Sequence, residues 1–158
     1  MIMMKPHVIN CVAPIASSTN LIDSGYIHMA DNLWCTFLLS YGVSSCVTTD
    51  IVLWQSSAAT TVSRTQYLPT VYRTQAAGTD AMSAVTNSTA ATSTGINLEL
   101  TSAQAEGNLY LIDIDPANMT DGKEFIRLTS QGDAGSEVIS IAALVYPRYA
   151  QAIPVSSS

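Results

Sequence analysis

Apolar and polar positions alternate most sharply in the last third of the chain. There NLYLIDIDPANMTDGKEFIRLTSQGDAGSEVISIAALVYPRYA, residues 108–150, divides into three strands joined by two sharp turns. Tyr110, Ile112 and Ile114 occupy one face of the first strand, with Leu109, Leu111, Asp113 and Asp115 on the other, the period of two that a pleated strand requires. Asp115-Pro116 ends it. Proline lacks the ladder donor but suits the first position of a helical turn, which the preceding aspartate can cap, so PANM is predicted as one turn of helix. Asp121-Gly122 closes the reversal. In the final strand Ile139, Ile141, Ala143 and Val145 share one face, while Val138, Ala142, Leu144 and Tyr146 make the other nearly as apolar, interrupted by Ser140. Such a strand needs cover on both sides. The first reading is a central strand under loops or arms of its own chain; the alternative is that one face meets a neighbouring subunit.

Upstream, Leu33–Ser40 and Val47–Gln55 alternate in the same way and predict two antiparallel strands joined at Tyr41-Gly42. Trp34 and Trp54 lie in these strands, and a core role is expected for at least one. Tyr67–Thr74 is a weaker strand, interrupted by Pro69 and therefore expected at an edge or bulge. Residues 76–95 carry Ala, Thr, Ser and Gly with few large side chains, which predicts a surface excursion with a short strand at Ala81–Thr86. Ile96–Leu100 resumes as a strand. Seven or eight short strands without a sustained helical period predict an all-β fold, an antiparallel β-sandwich of jelly-roll or immunoglobulin-like topology. Residues 1–25, with Pro6, Pro14 and Ser17-Ser18-Thr19-Asn20, are expected as an extended N-terminal arm. The sandwich domain is expected over 26–150 and a short C-terminal tail over 151–158.

Composition narrows the function. The 158 residues suit one domain. Only 11% are charged and 47% are apolar, against roughly a quarter charged in ordinary soluble domains. Either Ser and Thr hydroxyls solvate the surface or partners cover it. A net charge of −6, with Lys5, Arg64, Arg73, Lys123, Arg127 and Arg148 scattered, argues against sequence-independent nucleic-acid binding, which needs clustered cations. No segment has the length of apolar sequence that spans a membrane, and no targeting segment is read at the N-terminus, where His7, Asn10 and two prolines interrupt the apolar residues. Cys11, Cys35 and Cys46 lack metal-ligand spacing and suggest no disulfide framework; Cys35 reads as a small buried hydrophobe.

Chemistry is sparse. Asp113, Asp115 and Asp121 invite a calcium reading, but Ala117 and Asn118 stand where a hand-type loop needs an oxygen ligand and glycine. Turn capping is the favoured role. His7 and His28 are the only histidines, and neither sits in a nucleophile or zinc motif. No enzyme activity, cofactor or metal is expected.

The "ID" strand of residues 112–113, the turn ending in Asp121-Gly122, the Phe125-Ile126-Arg127-Leu128 strand, the Gly-rich turn, the apolar strand and the closing Pro147-Arg148-Tyr149-Ala150 resemble small structural proteins of tailed bacteriophages. The Tyr-rich stretch of residues 66–86 shares the likeness, which covers about half the chain. The resemblance implies a capsid decoration or cement protein. Such a protein is a noncatalytic β-sandwich bound to the major capsid protein on the outer surface of the virion, made in the host cytoplasm and assembled as a homo-oligomer, with a trimer expected. Pro147, Arg148 and Tyr149 are the candidate interface residues, since they close the resembling block and Tyr and Arg are enriched in interface hot spots. The alternative is a carbohydrate- or host-surface-binding β-module of a phage tail or fibre.

Overall fold

The computed structural model describes residues 6–17, 20–60, 64–68, 70–88, 98–133 and 135–148. Eleven strands are present among them: β1 (His7–Ser17), β2 (Ile22–His28), β3 (Asn32–Ser44), β4 (Thr48–Ser56), β5 (Thr65–Gln66), β6 (Thr70–Gln75), β7 (Thr86–Ser88), β8 (Leu98–Thr101), β9 (Leu109–Ile114), β10 (Phe125–Gly132) and β11 (Glu137–Pro147). A one-turn helix, α1 (Ser102–Ala105), follows β8, and a 3-10 turn at Pro116–Asn118 follows β9. Every pairing is antiparallel. A six-stranded sheet runs β1-β11-β3-β9-β6-β7, and a five-stranded sheet runs β2-β10-β4-β5 with β8 also on β4. The two form the expected sandwich.

The alternation read from the sequence fills its centre. Across the six-stranded sheet, Ile141, Leu39 and Tyr110 form one inward row, Ala143, Phe37 and Ile112 the next, and Val145, Cys35 and Ile114 a third. Ile51 and Leu53 of β4, Ile126 and Leu128 of β10, Ile22 and Ile27 of β2, and Leu98 and Leu100 of β8 meet them from the other sheet. Each of the fully buried aliphatic and aromatic side chains contributes roughly 1.5–3 kcal/mol of transfer free energy. Polar groups also bridge the sheets: the Tyr41 and Ser130 hydroxyls lie 3.0 Å apart, and Thr49 Oγ1 donates to Glu137 Oε2 at 2.7 Å. Glu137 is 1% exposed, and burial pushes its carboxyl above the ordinary glutamate range.

The turns follow their predicted chemistry. The Asp115 carboxylate accepts from the Ala117 amide at 2.9 Å and caps the 3-10 turn, so capping is its role. Between β10 and β11, Gly135 has φ of 102°, and a Cβ there would lie 2.5 Å from the Ser45 carbonyl oxygen. Only glycine fits this approach. Asp133 accepts from the Val47 and Thr48 amides, so the β3–β4 and β10–β11 connections hold each other.

Three expectations are corrected. In place of an arm, the segment before residue 25 contains β1, paired with β11 from His7↔Val145 to Ser17↔Glu137, and the start of β2, paired with β10. Backbone hydrogen bonding to the final strand outweighs the two prolines, which sit just before β1 and at a register shift within it. Strand β3 runs through Tyr41-Gly42 to Ser44, so the reversal comes at residues 45–47. Neither Trp34 nor Trp54 joins the core; both are half-buried on outer faces. The tail expected over 151–158 lies outside the described residues.

Candidate interaction surface

The outer faces of the two sheets differ. The five-stranded sheet presents a polar face, on which several charged and aromatic groups engage one another and Asp50 lies opposite Glu99. Arg127 of β10, nearly buried, donates Nε to Asp23 Oδ1 at 2.6 Å and Nη2 to Asp23 Oδ2, and its guanidinium lies 5.3 Å from the Tyr26 ring centroid. The Trp54 indole donates to Thr129 Oγ1 at 3.1 Å, and Arg64 covers the Trp54 ring at 4.3 Å.

The six-stranded sheet presents a broad apolar face instead. Its registers align Val8, Leu144, Thr36, Asp113 and Val71 in one outward row, Asn10, Ala142, Leu38, Leu111 and Arg73 in the next, and place Tyr146 beside Trp34. The aliphatic members on β3, β6, β9 and β11 are half-buried. The expected apolar second face of β11 is therefore real, and no described segment of the chain packs as a layer over it.

One polar cluster interrupts this face. Asp113, 9% exposed, accepts from Thr36 Oγ1 at 2.7 Å and from the Trp34 indole at 3.4 Å through Oδ1, and from Arg73 Nη2 at 3.3 Å through Oδ2. Thr36 lies directly opposite Asp113, and Trp34 and Arg73 reach it diagonally, which is the range over which cross-strand side chains interact. The aspartate fixes an indole and a guanidinium together in a plane of leucines. With Leu33 and Tyr146 they frame an open depression of about 480 Å³. Trp, Tyr and Arg are the side chains most enriched in binding hot spots. The sequence placed Asp113 outward but gave no sign of this cluster, because its members are spread over four strands.

The residues expected at the interface have different positions. Pro147 is buried at the end of β11, opposite Asn32. Arg148 is exposed, and its amide donates to the Asp31 carbonyl at 2.7 Å. It borders a cleft of about 360 Å³ whose walls include Met29, Met119 and Lys123. Tyr149 lies outside the described residues. Tyr146, three positions earlier, is the tyrosine that joins the outer cluster.

His28 stacks on Phe125 at 4.7 Å and lies 3.4 Å from Glu124 on the surface; His7 is exposed on β1. Cys11, Cys35 and Cys46 are free thiols, and burial pushes the Cys35 thiol far up. Among the described residues, no group of three or more His, Cys, Asp or Glu comes together to hold a metal ion, and no helix is long and apolar enough to cross a membrane.

No protein-family model and no curated protein matches the chain. Solved structures similar to it include one of the infectious bursal disease virus Gt strain, at TM-score 0.26 and 10% identity, covering 96% of this chain and 47% of that one. The T13 particle of the same virus matches at TM-score 0.27 and 12% identity, covering 95% and 44%. Its VP2 subviral particle matches at TM-score 0.27 and 8% identity, covering 90% and 41%. The chain spans less than half the length of these viral proteins, and overlap at such TM-scores is too loose to establish a common fold.

Proposed function

We propose that the chain is a noncatalytic structural protein of a virion, a decoration or cement protein that binds the outer shell of a phage head as a homo-oligomer, three copies being the number implied by its resemblance to small phage structural proteins. The observation that carries the reading is the asymmetry of the sandwich. One outer sheet face is polar and charged, with the Asp23–Arg127 pair, Arg64 over Trp54, Arg127 over Tyr26 and the carboxylates of Asp50 and Glu99 on opposed positions. The other spreads leucine, alanine and valine around a fixed Trp34–Asp113–Arg73 cluster. An apolar face with few charges and a fixed aromatic and arginine anchor has the make-up of a protein-binding surface. The mechanism is burial: many modest contacts, multiplied by the symmetry of a shell, hold the subunits through avidity. Recombinant protein added to capsids lacking it tests the reading; saturation at several hundred copies per particle supports it, and absence of binding overturns it.

A second reading has its own observation. Trp34 and Tyr146 flank an open depression that also holds Arg73 and Asp113, and aromatic rings beside fixed polar groups are what a carbohydrate-binding module presents. A panel of soluble polysaccharides separates the two, since retention abolished by Trp34→Ala, together with a handful of copies per particle, favours the tail or fibre module.

A further inference from the structure

Among the described residues, strand β1 forms one edge of the six-stranded sheet and is bonded on one side only, to β11. It is 11 residues long, and HVINCVAPIAS contains no Asp, Glu, Lys or Arg. Natural sheets blunt their edges with charges, prolines, bulges or short strands, because a free row of amides and carbonyls templates pairing with another chain. The other described edges are blunted. Strand β2 carries the Asp23–Arg127 pair, a positive-φ Gly25 and a register shift against β10. Strands β5, β7 and β8 have two, three and four residues, and β8 carries Glu99. In β1, Pro14 and the register shifts affect the stretch beyond Asn10, and His7–Asn10 pairs with β11 in unbroken register.

The side chains along this edge lack cover. Ile9 and Ile15 belong to the inward-facing set, opposite Ala143 and Ile139, which are fully buried. Yet Ile9 is 39% exposed and Ile15 47%. Val8, in the outward row with Leu144, is 71% exposed. The core therefore runs out at β1 before its apolar residues do.

We propose that β1 is a homophilic pairing edge, on which a second copy of this chain lays its own β1 antiparallel and extends the six-stranded sheet across a two-fold. The occupant follows from charge and shape. In a chain of net charge −6, two copies repel except where they meet through neutral surface, and β1 is a long neutral edge. An antiparallel strand pair is also self-complementary, as an isologous contact requires. The regular stretch from His7 to Asn10 spans roughly 13 Å of edge. Pairing it supplies partners to the free amides and carbonyls and covers Val8 and Ile9, by the same strand addition that sheets use to bind extended peptides. The contact leaves the apolar outer face free for a shell. This inference rests on the reading of the chain as a homo-oligomer; the two-fold contact joins copies of neighbouring three-copy rings, since the copies within one ring meet through heterologous contacts.

The test compares the full chain with Val8→Lys, and with Val43→Lys as a control at a similarly exposed site away from β1. Light-scattering mass is measured over a concentration series, alongside amide hydrogen exchange of the wild type, which needs no variant. The expected result is association that increases with concentration, protection of the Val8–Asn10 amides in step with it, and dissociation at concentrations about tenfold higher for Val8→Lys, which puts two lysines into the short paired stretch, with Val43→Lys unchanged. Association insensitive to Val8→Lys, with β1 amides exchanging freely, overturns the edge and leaves the oligomer standing. A wild type that is monomeric throughout overturns both.

Discussion

Asp113→Ala tests whether the outer cluster is built as the geometry implies. The substitution removes the acceptor of three donors. Thr36, buried opposite it, loses its 2.7 Å bond, and a buried hydroxyl left without a partner costs about 1–3 kcal/mol. The Trp34 indole loses a longer contact at 3.4 Å. Arg73 loses its carboxylate at 3.3 Å, but its side chain is about a third exposed, so solvent screens the pair and its share is at most about 1 kcal/mol. The sum is about 1–4 kcal/mol, which lowers the melting temperature by about 2–16 °C in a chain of this size. Thermal unfolding followed by circular dichroism measures it. Asp113→Asn keeps an oxygen for Thr36 and Trp34 and should recover more than half of the loss. A melting temperature within 1 °C of wild type for Asp113→Ala refutes the reasoning, because three donors on one buried carboxylate would then contribute nothing.

Other predictions concern buried groups elsewhere. Glu137 has its carboxyl pKa raised by burial, so the folded state holds that proton more tightly than the unfolded chain. Its contribution is intact below the ordinary glutamate value near 4.5 and is lost as pH rises through the folded value. The melting temperature of Glu137→Gln relative to wild type should therefore climb with pH across the weakly acidic range and then level off; a flat difference contradicts the assignment. Gly135→Ala places a Cβ against the Ser45 carbonyl at 2.5 Å and keeps φ at 102°, a strain of about 1–3 kcal/mol or more, visible as a lower urea midpoint. Native thiol labelling should reach Cys11, which is half-exposed, well before Cys35 and Cys46, which have no exposed surface; equal labelling of all three refutes the packing.

Much of the sandwich is legible from period-two patterning, where burial dictates residue type. Tyr110, Ile112 and Ile114 read as one face and form one, and the same holds for the alternating residues of β3, β4 and β11. The failures share a cause. In β1 the residues toward the core are only partly covered and the register shifts twice, so selection for alternation is weak and the segment reads as an arm. The two tryptophans look like core residues because hydrophobicity alone does not tell an inner face from an outer apolar one. The Asp113 cluster is invisible for a different reason: Trp34, Thr36, Arg73 and Tyr146 come together only through the pairing order β11-β3-β9-β6, and no local pattern encodes which strands become neighbours.

The central claim is that the apolar face of the six-stranded sheet holds the protein on a shell, with Trp34 as an anchor at one end of it. The most direct measurement is the occupancy of wild type and Trp34→Ala on capsids lacking the protein, after circular dichroism shows both to be folded. Truncating a hot-spot tryptophan costs about 2 kcal/mol or more, so the variant should need roughly 30-fold more protein for half saturation. Equal occupancy curves for the two proteins would contradict the account.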